Sequence, residues 1–161
     1  MEPVIKSETR SGQGPAISVA HLSKNLGGQQ IIADVSFEIA AGEMLVVLGP
    51  SGSGKTTLLR IIAGLEQPDA GEIYLNGKLA SQMPPQKREL GVVFQEHALF
   101  QRKTAEQNVA FGLEARKLPK AEIGRTVEEM LGLVNLHEQR KKYPSQLSGG
   151  QRQGVALARA L

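Results

Sequence analysis

The chain has 161 residues, of which 40% are hydrophobic and 22% charged, with a net charge of +3, a composition typical of one soluble globular domain. It contains no cysteine, which excludes disulfides, thiolate metal sites and a cysteine nucleophile. No apolar run approaches the roughly 20 residues that span a bilayer, and the N-terminal residues lack the apolar core of a signal peptide. We therefore expect a cytosolic protein.

The basic residues that are adjacent in sequence form three short clusters, at 87–88, 102–103 and 140–142. Such short clusters are predicted to be solvated faces rather than a track for nucleic acid. Aromatic residues make up 4% of the chain and there is no tryptophan, so little is available for stacking on bases. We expect no nucleic-acid partner.

The first predicted elements follow a polar tail. Residues 1–16 contain Gly12, Gly14 and Pro15 and are predicted to be flexible. Residues 17–22 are predicted to form a strand, and the alternation at 35–39 is typical of a strand with one buried face. The wholly apolar run at 44–48 predicts a strand buried on both faces.

Residues 49–56, G-P-S-G-S-G-K-T, fit the P-loop pattern G-x-x-x-x-G-K-S/T. Glycines let successive backbone N–H groups turn inward around phosphate oxygens, and the helix predicted for 56–65 adds positive charge at its N-terminus. Lys55 would reach the β- and γ-phosphates and the Thr56 hydroxyl would ligate Mg²⁺. A glycine-rich turn without a ligand is the alternative, but the strand before and the helix after it favour phosphate binding. The predicted nucleotide-binding residues are Gly49, Pro50, Ser51, Gly52, Ser53, Gly54, Lys55, Thr56 and Thr57.

Two further strands are predicted after the P-loop helix. Residues 67–71 interrupt the apolar pattern, and 72–75 form a short strand closed by the turn-forming pair at 76–77, Asn-Gly. Residues 91–95 are a second candidate for a buried strand.

The rest of the chain predicts helices. Thr104 and Gln107 have capping-box spacing, and Pro119 suits the first turn of the helix that follows. After a break at 143–147, a last helix is predicted from about Gly150. The apolar face of the helix after Pro119 is predicted to comprise Ile123, Val127, Met130, Leu131 and Val134.

The sequence L-S-G-G-Q at 147–151 precedes the last helix. Ser148 and Gln151 have the S-x-x-Q spacing of a capping box, which would be a purely structural feature. A serine and two glycines at a helix N-terminus could equally form a second phosphate-binding surface. These residues alone leave both interpretations open.

The P-loop and the downstream L-S-G-G-Q together resemble an ABC-transporter nucleotide-binding domain, over the chain from about Ile17 to Leu161. Residues 93–100 match the family's Q-loop region, and 104–112 resemble importer ATPases of the sulfate, polyamine and iron type. The resemblance implies an α/β P-loop NTPase with a mostly parallel core sheet, an N-terminal antiparallel portion and a helical subdomain at about 97–150. Residues 17–161 would then be an incomplete ATP-binding domain, with the C-terminal part of the core missing.

In that family two domains form a head-to-tail dimer around two ATP molecules. The resemblance implies that Gln95 contacts Mg²⁺ and faces the membrane subunits. The implied partners are ATP with Mg²⁺, a second copy or homologous subunit, and transmembrane permease subunits. The implied location is the cytoplasmic face of the plasma (inner) membrane. The residues implied to close over the partner's ATP are Leu147, Ser148, Gly149, Gly150 and Gln151.

The family's hydrolytic Asp-Glu motif and switch histidine have no counterpart in residues 1–161, which leaves Lys55 and Gln95 as the implied catalytic residues. We expect this chain alone to be inactive in hydrolysis, and to be poorly soluble or partly ordered because a central strand is lacking. Glu96 and His97 are not expected to substitute, since the base must stand in line behind the γ-phosphate.

Two residues depart from the family pattern. Leu26 stands where the family has an aromatic residue that stacks on adenine, so adenine selectivity is expected to weaken. Gly154 stands within a helix where relatives often carry arginine.

The function favoured is the ATP-binding subunit of an ABC importer, here without its hydrolytic motif. One alternative is a nucleotide-binding fragment without turnover. Another is a soluble, non-transport ABC ATPase. A small P-loop kinase or GTPase is least favoured because neither requires L-S-G-G-Q.

Overall fold

A computed structural model describes residues 14–161, so positions 1–13 of the predicted tail lie outside the described residues. The chain divides into two compact units between Glu89 and Leu90. The first unit contains β1 (Ile17–Leu26), β2 (Gln29–Ile39), α1 (Lys55–Ile62), β3 (Ala70–Leu75), β4 (Lys78–Leu79) and α2 (Pro85–Arg88). The second contains α3 (Ala105–Ala115), α4 (Lys120–Leu133), α5 (Gly149–Ala160) and two 3₁₀ turns, His137–Gln139 and Pro144–Gln146.

The strands of the first unit form one antiparallel sheet in the order β2-β1-β3-β4. The central strand β1 pairs with both neighbours, so that Ile17 lies opposite Ile39 on one side and Leu75 on the other. The predicted turn between β3 and β4 is confirmed, since Asn76 and Gly77 have φ of 48° and 74°. Two successive positive φ angles are what a type I′ two-residue hairpin turn requires.

The core of the first unit lies between one face of this sheet and α1. The helix is shorter than predicted at its C-terminus, because Gly64 has φ of 78° and so turns the chain out of the helix. The buried residues of this core are Val19, Leu22, Ile32, Phe37, Leu58, Ile61, Ile62, Ile73, Leu75 and Ala80.

Two of the predicted strands are not formed in the structure. Residues 44–48 form no strand, and Met44 and Leu48 are 85% and 81% exposed, while Leu45 and Val47 pack against the core. Residues 91–95 also form no strand. An apolar run becomes a buried strand only when neighbouring strands pair with it, and within residues 14–161 no strand pairs with either segment.

The prediction that the cluster at 87–88 is a solvated face is wrong for Arg88, which is 4% exposed. Its guanidinium donates to the carbonyl oxygens of Ile61 and Ile62 at 2.8 Å each, at the end of α1. It also donates to the carbonyls of Met83 at 2.9 Å and Ser81 at 3.2 Å. Burial lowers the pKa of Arg88. The side chain therefore satisfies carbonyl groups that a helix C-terminus leaves without partners.

The predicted capping box of α3 is confirmed. The Thr104 N–H donates to Gln107 Oε1 at 2.9 Å, and the Gln107 N–H donates to Thr104 Oγ1 at 3.3 Å. One turn further on, the fully buried Asn108 bonds the loop that precedes the helix. Its Oδ1 accepts from the Phe100 N–H at 2.8 Å, and its Nδ2 donates to the carbonyls of Phe100, Lys103 and Thr104.

The predicted helix after Pro119 is confirmed as α4, with Pro119 at its N-cap. The whole predicted apolar face of α4 packs into the second core. No helix among residues 14–161 has the length and apolar character needed to cross a membrane. The buried residues of this core are Leu99, Ala105, Val109, Ala110, Val127, Leu131, Leu136, Leu147, Val155, Ala156 and Ala158.

Candidate nucleotide-binding site

Residues 49–54 of the P-loop form a turn that leads into α1, and residues 55–57 are the first residues of that helix. Gly52 and Gly54 have φ of 82° and 88°, which side-chain-bearing residues rarely adopt. A Cβ on Gly54 would lie 2.8 Å from the backbone oxygen of Ile31 in β2. The Ser53 N–H closes the turn by donating to the Pro50 carbonyl at 3.3 Å. Glycine at position 54 therefore lets the loop pack directly against β2.

The N-terminus of α1 differs from those of α3 and α5. Gly54 is its N-cap, no side chain caps it, and no acidic residue lies in its first turn. The first N–H groups of a helix have no intrahelical partner, and the helix dipole places partial positive charge there. The start of α1 is therefore suited to an anion, which agrees with the P-loop prediction.

The Lys55 ammonium lies over the backbone of its own loop. Lys55 Nζ donates to the Gly49 carbonyl at 2.8 Å, the Pro50 carbonyl at 2.7 Å and Ser53 Oγ at 3.3 Å. These bonds place the cation at the mouth of the turn formed by the loop glycines. The next residue, Thr56, is exposed at the same helix end.

Leu26, the position at which the family pattern has an aromatic residue, lies near the P-loop along the sheet. It ends β1, pairs with Gln29 of β2 and is 42% exposed. Ile31, two positions further along β2, is the residue whose backbone contacts Gly54. Because a strand rises about 3.3 Å per residue, the end of the hairpin is within a few residues of the loop. Leu26 is thus a partly exposed residue at the end of the hairpin whose strand β2 packs against Gly54.

An ion cluster that no sequence pattern indicated lies beside Leu26. Lys24 is 9% exposed, and its Nζ lies 3.2 Å from Glu66 Oε1 and 3.1 Å from Asp69 Oδ1. Asp69 Oδ2 accepts from the Asn25 N–H at 2.6 Å and from Asn25 Nδ2 at 3.1 Å. The bond from the Asn25 N–H, followed by that from Lys24, lowers the pKa of Asp69. The bond to Asp69 in turn raises the pKa of Lys24.

The L-S-G-G-Q residues form the start of α5. The capping box is present: the Gln151 N–H donates to Ser148 Oγ at 3.2 Å, and the Ser148 N–H donates to Gln151 Oε1 at 2.9 Å. Leu147 is buried in the second core, whereas Ser148, Gly149 and Gly150 are exposed. The structural interpretation of the motif is confirmed. Exposure of the serine and both glycines is also what an external phosphate would require.

Gln95 is exposed in the second unit. The bend that follows it is held by a residue that the sequence analysis did not single out. His97 and Ala98 have φ of 61° and 46°, and Arg159 of α5 donates to the carbonyls of His97 at 3.1 Å and Ala98 at 2.8 Å. Two bonds from one guanidinium thus fix the strained backbone next to Gln95.

Residues 14–161 contain no cluster of three or more histidine, cysteine, aspartate or glutamate residues that could hold a metal ion alone. The Thr56 hydroxyl and the Gln95 amide are neutral oxygen donors. Mg²⁺ commonly takes few protein ligands and completes its shell with water and substrate phosphates. The Thr56 hydroxyl at the start of α1 therefore suits Mg²⁺ that arrives with a nucleotide.

The fold is that of an ABC ATPase. The dimeric post-hydrolysis structure of the ATP-binding cassette MJ0796 bound to ADP and Pi matches with a TM-score of 0.81 and 32% identity, over 90% of this chain and 68% of that one. The family model described as "ABC transporter" matches residues 32–161. The chain belongs to the ABC transporter family.

Two curated relatives are similar over most of the chain. The putrescine transport ATP-binding protein PotG of Escherichia coli is 52% identical over 159 residues, which cover 99% of this chain and 42% of the relative. The sulfate/thiosulfate import ATP-binding protein CysA of Gloeobacter violaceus is 56% identical over 146 residues, covering 91% and 42%. The chain thus spans less than half the length of these relatives.

Proposed function

We propose that this chain is the nucleotide-binding part of the ATP-binding subunit of an ABC importer. The observation that carries the proposal is the P-loop itself: the uncapped N-terminus of α1 and the Lys55 ammonium lie at one turn. The names of both curated relatives describe ATP-binding proteins of transport systems, which supports the importer class. Residues 17–161 would form an incomplete ATP-binding domain with a helical portion at about 97–150.

Each P-loop group has a separate role in this proposal. The backbone N–H groups of Gly52, Ser53 and Gly54 hold phosphate oxygens, and Lys55 neutralises the β- and γ-phosphates. The Thr56 hydroxyl supplies a ligand to Mg²⁺. The contact of Gln95 with Mg²⁺ stays a prediction from the family resemblance. When bound, the metal neutralises part of the phosphate charge.

The exposed start of α5 would receive the γ-phosphate of a second copy's ATP. A helix N-terminus alone is a weak anion site, and it strengthens when a partner supplies lysine and metal and excludes water. The two copies would then close around ATP, and this movement would be transmitted to transmembrane permease subunits at the cytoplasmic face of the membrane.

The 161-residue chain is proposed to bind ATP without turning it over. Phosphoryl transfer to water needs a group that orients the attacking water in line with the γ-phosphate. In the family that group is the glutamate of an Asp-Glu motif, and residues 1–161 contain no Asp-Glu pair. Binding depends on the P-loop, and hydrolysis depends on that further group.

The proposal is tested by titrating the 161-residue chain with Mg-ATP in a calorimeter. We expect Lys55→Ala to weaken binding by at least about tenfold, because charged hydrogen bonds contribute about 1.5–3 kcal/mol each. Lys78→Ala removes an exposed lysine of the same sheet and serves as the control, with unchanged affinity. A wild-type chain that does not bind Mg-ATP contradicts the proposal. Phosphate release above the Lys55→Ala background contradicts the absence of turnover.

A further inference from the structure

Strand β1 continues past the end of its partner β3. The last pair between them is Ser23 with Ala70, and β1 runs on to Leu26. Asp69 immediately precedes β3, and its own N–H donates to the Ser23 carbonyl at 3.0 Å. Beyond this point the ladder to β3 offers β1 no further partner, so its remaining backbone groups on that side need another one.

The Asp69 carboxylate provides that partner. Its Oδ2 accepts from both the backbone N–H and the side-chain amide of Asn25, at 2.6 and 3.1 Å. Its Oδ1 accepts from the nearly buried Lys24 ammonium at 3.1 Å. Hydrogen bonds with an ionised partner are shorter and stronger than neutral ones. One side chain therefore fixes two consecutive residues of β1.

These two residues lead directly to Leu26. The hairpin end that carries Leu26 is thus held on one side by Asp69 and reaches the P-loop on the other, through the contact of Ile31 with Gly54. The Asp69 bonds within the described residues go to Ser23, Lys24 and Asn25, and the P-loop is not among these partners. A change at Asp69 should therefore move the hairpin end and leave the phosphate-binding loop in place.

We propose that Asp69 is a positioning residue for the nucleotide base: its carboxylate sets the end of β1 so that Leu26 packs against the base of a nucleotide held by the P-loop. This inference rests on the proposed nucleotide-binding function. It adds that part of the affinity for a nucleoside triphosphate, as distinct from that for the phosphates alone, depends on the link from Asp69 to Asn25 and Lys24.

The test compares two ligands on the full 161-residue chain, Mg-ATP and inorganic triphosphate with Mg²⁺, by calorimetry. We expect Asp69→Ala to weaken ATP binding by about tenfold, the scale of losing part of the apolar contact between Leu26 and the base, and triphosphate binding less than about twofold. Asp69→Asn keeps an acceptor oxygen for the Asn25 N–H and should recover part of the loss. Asp34→Ala removes an exposed carboxylate of β2, bonded to His21 at 2.7 Å, and should change neither affinity.

The outcomes separate this inference from the proposed function. Equal weakening of both ligands by Asp69→Ala, or no weakening of either, overturns the positioning role. A wild-type chain that binds ATP no more tightly than triphosphate also overturns it, while the phosphate site stands. A wild-type chain that binds neither ligand overturns the proposed function itself. If Asp69→Ala does not fold, the same two ligands are compared on Asp69→Asn. If that variant prefers ATP over triphosphate as strongly as the wild type does, the positioning role is overturned.

Discussion

Gly154 of α5 lies directly against Leu136. A Cβ on Gly154 would be 2.9 Å from Leu136 Cδ1 and 3.7 Å from Val134 Cβ. Leu136 is buried in the second core, so its side chain has little room to retreat. A side chain at position 154 would therefore have to displace Leu136.

This contact predicts opposite effects for two helical glycines. Gly154→Ala should destabilise the chain by about 1 kcal/mol, because overpacking costs about 1–3 kcal/mol and exceeds the gain in helix propensity of about 1 kcal/mol. Gly124→Ala in α4 meets no atom within 4 Å and should stabilise by up to about 1 kcal/mol. Urea unfolding of both variants checks this. If both substitutions stabilised the chain equally, the Leu136 side chain would be shown to move aside at little cost.

The buried guanidinium at the end of α1 predicts a large loss of stability. Arg88→Met should cost about 3 kcal/mol, because several buried carbonyl oxygens lose their donor. Arg88→Lys should recover little, since an ammonium cannot reproduce the planar set of donors. Arg60→Met changes an exposed arginine of α1, and its free energy of unfolding should stay within about 0.5 kcal/mol of the wild-type value. The measurement is chemical denaturation, and a small loss in Arg88→Met would contradict the importance of these bonds.

The two roles of Ser148 can be separated by one substitution. Aspartate is as good an N-cap as serine, so Ser148→Asp should keep the stability of α5 while its charge repels a phosphate. We expect ATP-dependent dimerisation, measured by sedimentation, to be lost. Thr104→Asp places the same charge on the equivalent cap of α3 and should leave dimerisation unchanged. If the Ser148→Asp variant still dimerises, L-S-G-G-Q has only its helix-capping role.

The proposed contact of Leu26 with the nucleotide base can be tested by introducing an aromatic ring at this position. Leu26→Tyr should raise ATP affinity by about fivefold, near the lower end of the roughly 1–3 kcal/mol per base that aromatic stacking contributes relative to alanine, because leucine already supplies part of that contact. It should also increase the preference for ATP over GTP. Leu79→Tyr alters another exposed leucine, in β4, and is the control. Unchanged affinity in Leu26→Tyr would show that the base does not lie over this position.

The ion cluster predicts a specific dependence on pH. The pKa of Asp69 is lowered from its ordinary value of 3.8, by the bond from the Asn25 N–H and then by that from Lys24. Its contribution to stability is therefore complete above about pH 4 and is lost as the pH falls through the lowered pKa. The stability difference between wild type and Asp69→Asn should be constant between pH 5 and 9, within about the accuracy of denaturant unfolding, and shrink in acid. A difference that grows on acidification would contradict the assignment.

The sequence predicted the elements whose determinants are local. The capping box of Thr104 and Gln107, the Asn76-Gly77 turn and the apolar face of α4 depend on residues within one or two turns of each other. The P-loop conformation follows from its own glycines. These local patterns carry their physical cause with them, and all of them are present in the structure.

The remaining errors concern partners that are distant in sequence. Nothing in the apolar run at 44–48 shows whether neighbouring strands pair with it, and no strand within residues 14–161 does so. Arg88 was expected in water because basic residues usually are, yet its carbonyl partners lie as far back as Ile61. Lys24 and Asp69 are likewise brought together by the sheet.

The hydrogen bonds that Lys55 makes within its own loop affect the energetics of ligand binding. Its ammonium already shares its protons with two carbonyl oxygens and a hydroxyl of the loop, so a phosphate gains only the difference between two sets of oxygen ligands. The heat released on binding therefore measures an exchange and understates the strength of each new lysine–phosphate contact. The same exchange means that the loop need not desolvate a bare cation when the nucleotide enters.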